Sequence, residues 1–145
     1  NYNAWLHQYC SVAPDRLLGA PLLPLHHPAA GLAALEAALD AGARTACIPC
    51  RAPAWRPYRD PAYEPIWALA EEASLPLAMH IGTVAFAPRP PRVEGAPPRD
   101  PVATYAGAAS VIQATVSELI CQGVAARPSS RATWHGSTAP SNCTS

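Results

Sequence analysis

The sequence predicts an α/β fold in which a leading helix is followed by three strand–helix units whose strands run parallel. Three observations carry that prediction. Large apolar residues at Leu77, Met79 and Ile81 alternate with Ala78, His80 and Gly82, the period of two that gives a strand two different faces. Leu32, Leu35 and Leu39, and then Ile66, Leu69, Ala70 and Ala73, recur instead at three- and four-residue steps, the mark of helices with one buried stripe. The stretches between successive predicted strands are long enough for right-handed crossovers.

In chain order, Trp5, Leu6, Tyr9 and Val12 stand at helical spacing within a short amphipathic helix that ends before Pro14. Pro14-Asp15 turns the chain into an apolar stretch, Leu17 to Leu25, expected as a buried strand although Pro21 weakens its middle. His26-His27-Pro28 closes this strand. Adjacent side chains on an extended backbone point opposite ways, so the two histidines are expected to diverge in a solvent-facing loop. A helix starts at Pro28 and stops at Gly42, which supplies a left-handed residue.

Ala43 to Pro49 returns as the second strand, followed by a proline- and arginine-bearing loop, Arg51 to Asp60. Asp60-Pro61 and Glu64-Pro65 are both suitable helix starts. Leu75 to Thr83 forms the third strand. Its apolar face should meet the helices, and its small face should look into an enclosed interior, with His80 near the C-terminal end. Thr83 to Asp100 contains five prolines in 18 residues, longer than a plain joint and suited to a lid. A long helix is expected from Val102 to about Ala126, with Tyr105, Ala109, Ile112, Val116, Leu119 and Gly123 in its stripe. Residues 128–145 include eight Ser or Thr and no periodic apolar pattern. They read as an irregular tail, with a remnant strand at Ala132 to His135. The organisation is thus a folded unit over 1–127 and a tail over 128–145.

The 145 residues suffice for one domain with a sizeable core, but not for the roughly 250 of a complete eight-stranded α/β barrel. Ten Arg, no Lys, four Asp and six Glu leave no net charge, so neither nucleic acid nor an acidic membrane surface is an expected partner. No apolar run approaches the ~20 residues of a membrane span. The chain opens at Asn1 without methionine, as an incomplete or trimmed chain would, and Tyr2 to Cys10 does not read as a secretory signal. Five scattered cysteines, Cys10, Cys47, Cys50, Cys121 and Cys143, favour a reducing, cytoplasmic setting over a disulfide framework. Cys47-Ile48-Pro49-Cys50 matches C-x-x-C, but it ends a strand and has no second pair. Small structural residues at a strand end are the simpler reading.

Four blocks then resemble a known family. They are Tyr2-Asn3-Ala4-Trp5-Leu6, then Ala13-Pro14-Asp15-Arg16-Leu17 ahead of Leu22-Leu23-Pro24-Leu25, then Pro57 to Trp67, and Leu75 to Gly82. Their order and spacing resemble the amidohydrolase-related proteins of the aminocarboxymuconate-semialdehyde decarboxylase type, and Val116 to Val124 is similar to the segment that follows that family's histidine strand. The resemblance implies a partial (βα)8 TIM barrel, of which this chain supplies about three parallel βα units and a preceding helix. It implies a metal-dependent enzyme that hydrolyses or decarboxylates small carboxylated or aromatic substrates, commonly with zinc. His80 occupies the position of the family's fifth-strand metal ligand, a role that suits imidazole because its neutral nitrogen binds a borderline metal. Trp134-His135-Gly136-Ser137 is similar to the segment carrying the decarboxylases' acid–base histidine, which makes His135 a catalytic candidate.

The family's paired first-strand histidines would fall before Asn1 and its aspartate ligand beyond Ser145. A catalytic zinc takes three protein ligands and an open position, so the chain by itself is expected to be an incomplete catalyst. Arg51, with Arg56 and Arg59, is a candidate clamp for a substrate carboxylate; solvated loop arginines are the alternative. The competing reading of the whole chain is an inactive remnant or binding module that self-associates through exposed sheet edges. A phosphate-binding domain is disfavoured because no Gly-rich loop follows a strand.

Overall fold

In a computed structural model, which describes residues 2–80, 95 and 101–124, four helices accompany a small parallel sheet. Helix α1 is Tyr2–Cys10 and α2 is Pro28–Asp40; strand β1 is Ala46–Pro49; α3 is Glu64–Glu72; strand β2 is Leu77–His80; and α4 is Pro101–Cys121. A single 3-10 turn, Pro61–Tyr63, precedes α3, with the Asp60 carboxylate accepting from the Ala62 N–H at 2.9 Å.

β1 and β2 pair in parallel, with Ala46 opposite Leu77 and Pro49 opposite His80. On the other side of β1, the predicted strand Leu17 to Leu25 contracts to a bridge between Leu22 and Cys47. Leu23 N–H donates to Cys47 O at 2.9 Å, and Cys47 N–H donates to Pro21 O at 2.7 Å. Pro21 and Pro24 have no N–H to give, which keeps the ladder this short. Leu23 and Leu25 are nevertheless buried among Leu35, Ile48, Tyr63 and Ile66.

α2 begins at Pro28 and ends where the sequence puts it. Gly42 has φ +76, its N–H donates to Leu39 O, and Ala43 N–H donates to Ala38 O, both at 2.9 Å. These two bonds make a Schellman ending and satisfy carbonyls that would otherwise be left over. The helix lies close to α3 at Gly31: a Cβ there would come 2.7 Å from Leu25 Cδ2 and 3.2 Å from Ile66 Cδ1.

Three expectations change. The stripe of α1 is not buried: Trp5 and Tyr9 are half-exposed and Val12 more so. Tyr2, Trp5 and Tyr9 instead stack on one another along the outer side, with centroids 5.8 and 5.5 Å apart. α1 is held from its other side, where Leu6 and Cys10 meet Gly19 and the Asn3 amide bonds both the N–H (2.8 Å) and the C=O (3.0 Å) of Leu22.

The second strand starts at Ala46 rather than Ala43, because Gly42 and Ala43 are consumed by the ending of α2. α4 ends at Cys121 rather than Ala126, with Gly123 at φ +69. Its inward line is Ile112, Thr115 and Leu119, while Val116 is 40% exposed. Thr115, a polar residue outside the apolar stripe, is buried, with its hydroxyl donating to Cys50 O at 2.7 Å.

The lid stretch Thr83 to Asp100, apart from Gly95, and the tail over 128–145, including the remnant strand at Ala132 to His135, lie outside the described residues.

Candidate functional site

The alternation read from Leu75 to Thr83 separates the faces of β2 as expected. Leu77 and Met79 are partly buried against the core, while Ala78 and His80 are exposed. Through the register with β1, Cys47 and Pro49 share the face of Ala78 and His80, whereas Ala46 and Ile48 belong to the helix-covered core. His80 therefore stands at the C-terminal end of β2 on the side away from the helices, the end of a barrel strand where chemistry is sited. Among the described residues that face is not enclosed: two short strands and one bridge are too few to curl round and close over it, and Ala78 and His80 are exposed.

Cys47 and Cys50 are both buried free thiols. Burial pushes the Cys47 thiol up, the backbone N–H of His80 partly offsets this, and Cys50 adds to the rise. With both thiols buried at the end of β1, the C-x-x-C pair reads as structural.

The loop after β1 is anchored from below by aromatic residues that sequence reasoning left without a role. The Tyr58 hydroxyl donates to Pro49 O at 2.6 Å, directly across the ladder from His80. Tyr58 is fully buried, with the rings of Tyr63 and Trp67 edge-on to it at 5.4 and 5.6 Å. Trp67 Nε1–H donates to Tyr58 O at 3.3 Å, and the Tyr63 hydroxyl donates to Leu25 O at 2.7 Å. Burial raises both tyrosine hydroxyls above their ordinary range, so both stay protonated donors. The available signal was Pro57 to Trp67 itself, where three aromatics fall within ten residues.

The arginines of this loop do not converge on one point. Arg56 pairs with Asp60 at 3.6 Å, and Arg59 lies 3.7 Å from Glu118 and donates to Gln122 Oε1 at 3.2 Å. Arg51 is exposed immediately after Cys50. His26 and His27, expected to diverge, are brought together with ring centroids 4.5 Å apart, because the backbone turns there instead of remaining extended.

Among the described residues, no three His, Cys, Asp or Glu side chains gather in a way that could hold a metal ion. His80 alone does not fit a catalytic zinc, which needs three protein ligands, and His135 lies outside the described residues. No helix among the described residues is long and apolar enough to cross a membrane.

A parallel sheet with helices packed on one face and a histidine at the C-terminal end of a strand is a segment of an α/β fold. The family comparison is specific: the amidohydrolase family model matches residues 1–132. The chain belongs to the amidohydrolase family. A comparison with curated proteins finds no match.

Proposed function

We propose that this chain contributes the histidine-bearing strand of a metal-dependent amidohydrolase that hydrolyses or decarboxylates a small carboxylated or aromatic substrate. His80 is the metal ligand in this reading, and zinc is among the metals that neutral imidazole suits. The observation that carries the proposal is the sorting of β2 into a core face and an open face, with His80 ending the open one. Tyr58 and Thr115 fix the β1 end beside it through Pro49 O and Cys50 O. The other ligands come from outside the described residues. Four free thiols among these residues suit a reducing compartment, and we place the protein in the cytoplasm.

The test is equilibrium dialysis of the whole chain against zinc, followed by metal analysis, for the native sequence, His80→Ala and His26→Ala. Because the described residues supply one ligand where a tight zinc site needs three, the expected result is weak zinc uptake that His80→Ala lowers and His26→Ala keeps. Equal zinc in all three, or none in the native chain, overturns the ligand role. Turnover assays with small aromatic carboxylates, following release of carbon dioxide against ordinary hydrolysis products, then separate the two reactions.

A further inference from the structure

Between α1 and α2 lies a cavity of about 510 Å³, well within the range of about 300–1,000 Å³ over which proteins hold small molecules. It sits at the end of the sheet opposite His80. Pro21, on its wall, precedes the Leu22 bridge, and Ala41 to Arg44, also on its wall, lead into the start of β1.

The cavity is apolar inside and cationic at one point. Leu6, Leu17, Ala34 and Ala38 supply apolar wall, Arg44 and His7 are its basic residues, and no Asp or Glu lines it. The two helix ends that border it would ordinarily present negative carbonyl dipoles, but most of their terminal carbonyls are already engaged. Ala37 O, Ala38 O and Leu39 O accept from Ala41, Ala43 and Gly42 N–H, while His7 O and Cys10 O accept from Ser11 and Ala13 N–H. The Gln8 carbonyl accepts from the Ser11 hydroxyl at 2.8 Å. The Arg44 guanidinium thus sets the sign of the site. The cavity is bounded by a tight seam, not a gaping gap: a Cβ at Gly19 would come 2.9 Å from Leu6 Cγ and 3.2 Å from Cys10 Sγ.

The geometry points to a second binding site, for a small monocarboxylate with an apolar body, seated between α1 and α2 with its carboxylate on Arg44. The guanidinium offers two parallel N–H donors to such a group, and the ring N–H of His7 is a further donor on the same wall. A ligand here bridges α1 to α2, so its binding stabilises the folded chain by mass action.

Calorimetric titration of the full chain with naphthalene-2-carboxylate, and with naphthalene-2-carboxamide as the neutral control, tests the proposal. The carboxylate is expected to bind more tightly than the amide. Arg44→Gln should weaken the carboxylate about tenfold, equivalent to about 1.4 kcal/mol, and leave the amide unchanged. Ala37→Phe, at an exposed helical position on the cavity wall, should abolish both; Ala41→Leu serves the same purpose where Ala37→Phe fails to fold. His80→Ala should alter neither. Equal binding of the two probes, indifference of the carboxylate to Arg44→Gln, undiminished binding in a folded cavity-filling variant, or loss of binding in His80→Ala each overturns the proposal.

Discussion

The Thr115 hydroxyl donates to the carbonyl of Cys50 at 2.7 Å in a buried contact between residues 65 positions apart. This bond attaches α4 to the point where β1 becomes loop. Replacing Thr115 with Val keeps the shape and removes the donor, leaving a buried carbonyl without that partner. The expected cost is about 1–2 kcal/mol, measured as a lower urea midpoint with an unchanged slope, and Thr115→Ser should recover most of it.

Gly31 is the point of closest approach between α2, Leu25 and Ile66. Alanine is ordinarily the better helix former by about 1 kcal/mol, so an exposed glycine changed to alanine would stabilise α2. At Gly31 the added methyl must displace two fully buried side chains, and overpacking of about 1–3 kcal/mol outweighs the gain. Gly31→Ala should therefore melt at a lower temperature than the native chain.

Burial holds the hydroxyls of Tyr58 and Tyr63 and the thiol of Cys47 above their ordinary values. In the unfolded chain the thiol ionises near about 8.5 and the tyrosines near about 10, whereas the folded forms stay neutral there. Their contribution is complete below those values and is lost as pH rises from them through the higher folded-state values. Denaturant midpoints should be flat around neutrality and fall at alkaline pH. Tyr58→Phe should start lower by about 1 kcal/mol for its lost hydrogen bond, yet fall less steeply above about pH 10.

Thiol accessibility follows burial. In a Cys143→Ser background, an aromatic disulfide reagent at neutral pH should modify exposed Cys121 first and half-buried Cys10 next, with Cys47 and Cys50 reacting only in denaturant. Rapid oxidation of Cys47 to Cys50 in the folded chain would contradict the structural role given to this pair.

What the sequence reveals and what it conceals have distinct physical causes. The two faces of β2 and the Gly42 ending of α2 follow from periodicity and from one residue's dihedral freedom, which are local properties. The extent of the first strand depends on competition between apolar burial, which draws in Leu23 and Leu25, and the missing N–H groups of Pro21 and Pro24. The exposure of Trp5 and Tyr9 on α1 is not legible in the sequence because spacing specifies a face without specifying what covers it. The His26–His27 contact depends on a turn, and the bonds from Tyr58 to Pro49 and from Thr115 to Cys50 join residues 9 and 65 apart. No windowed pattern encodes such couplings. His80 was identifiable as the residue of interest from its position in β2, but its companions were not.

The clasp between Asn3 and Leu22 has a consequence for assembly. A side-chain amide presents one donor and one acceptor in the same plane, as the peptide group of an adjoining strand would, and Leu22 uses both. With prolines on either side of that residue pair, Asn3 acts as a counterfeit strand that closes this margin of the sheet. Leu22 therefore has neither its N–H nor its C=O to offer to a strand of a second copy. Asn3→Ala would expose both groups, and a shift toward larger species in sedimentation velocity is its expected signature.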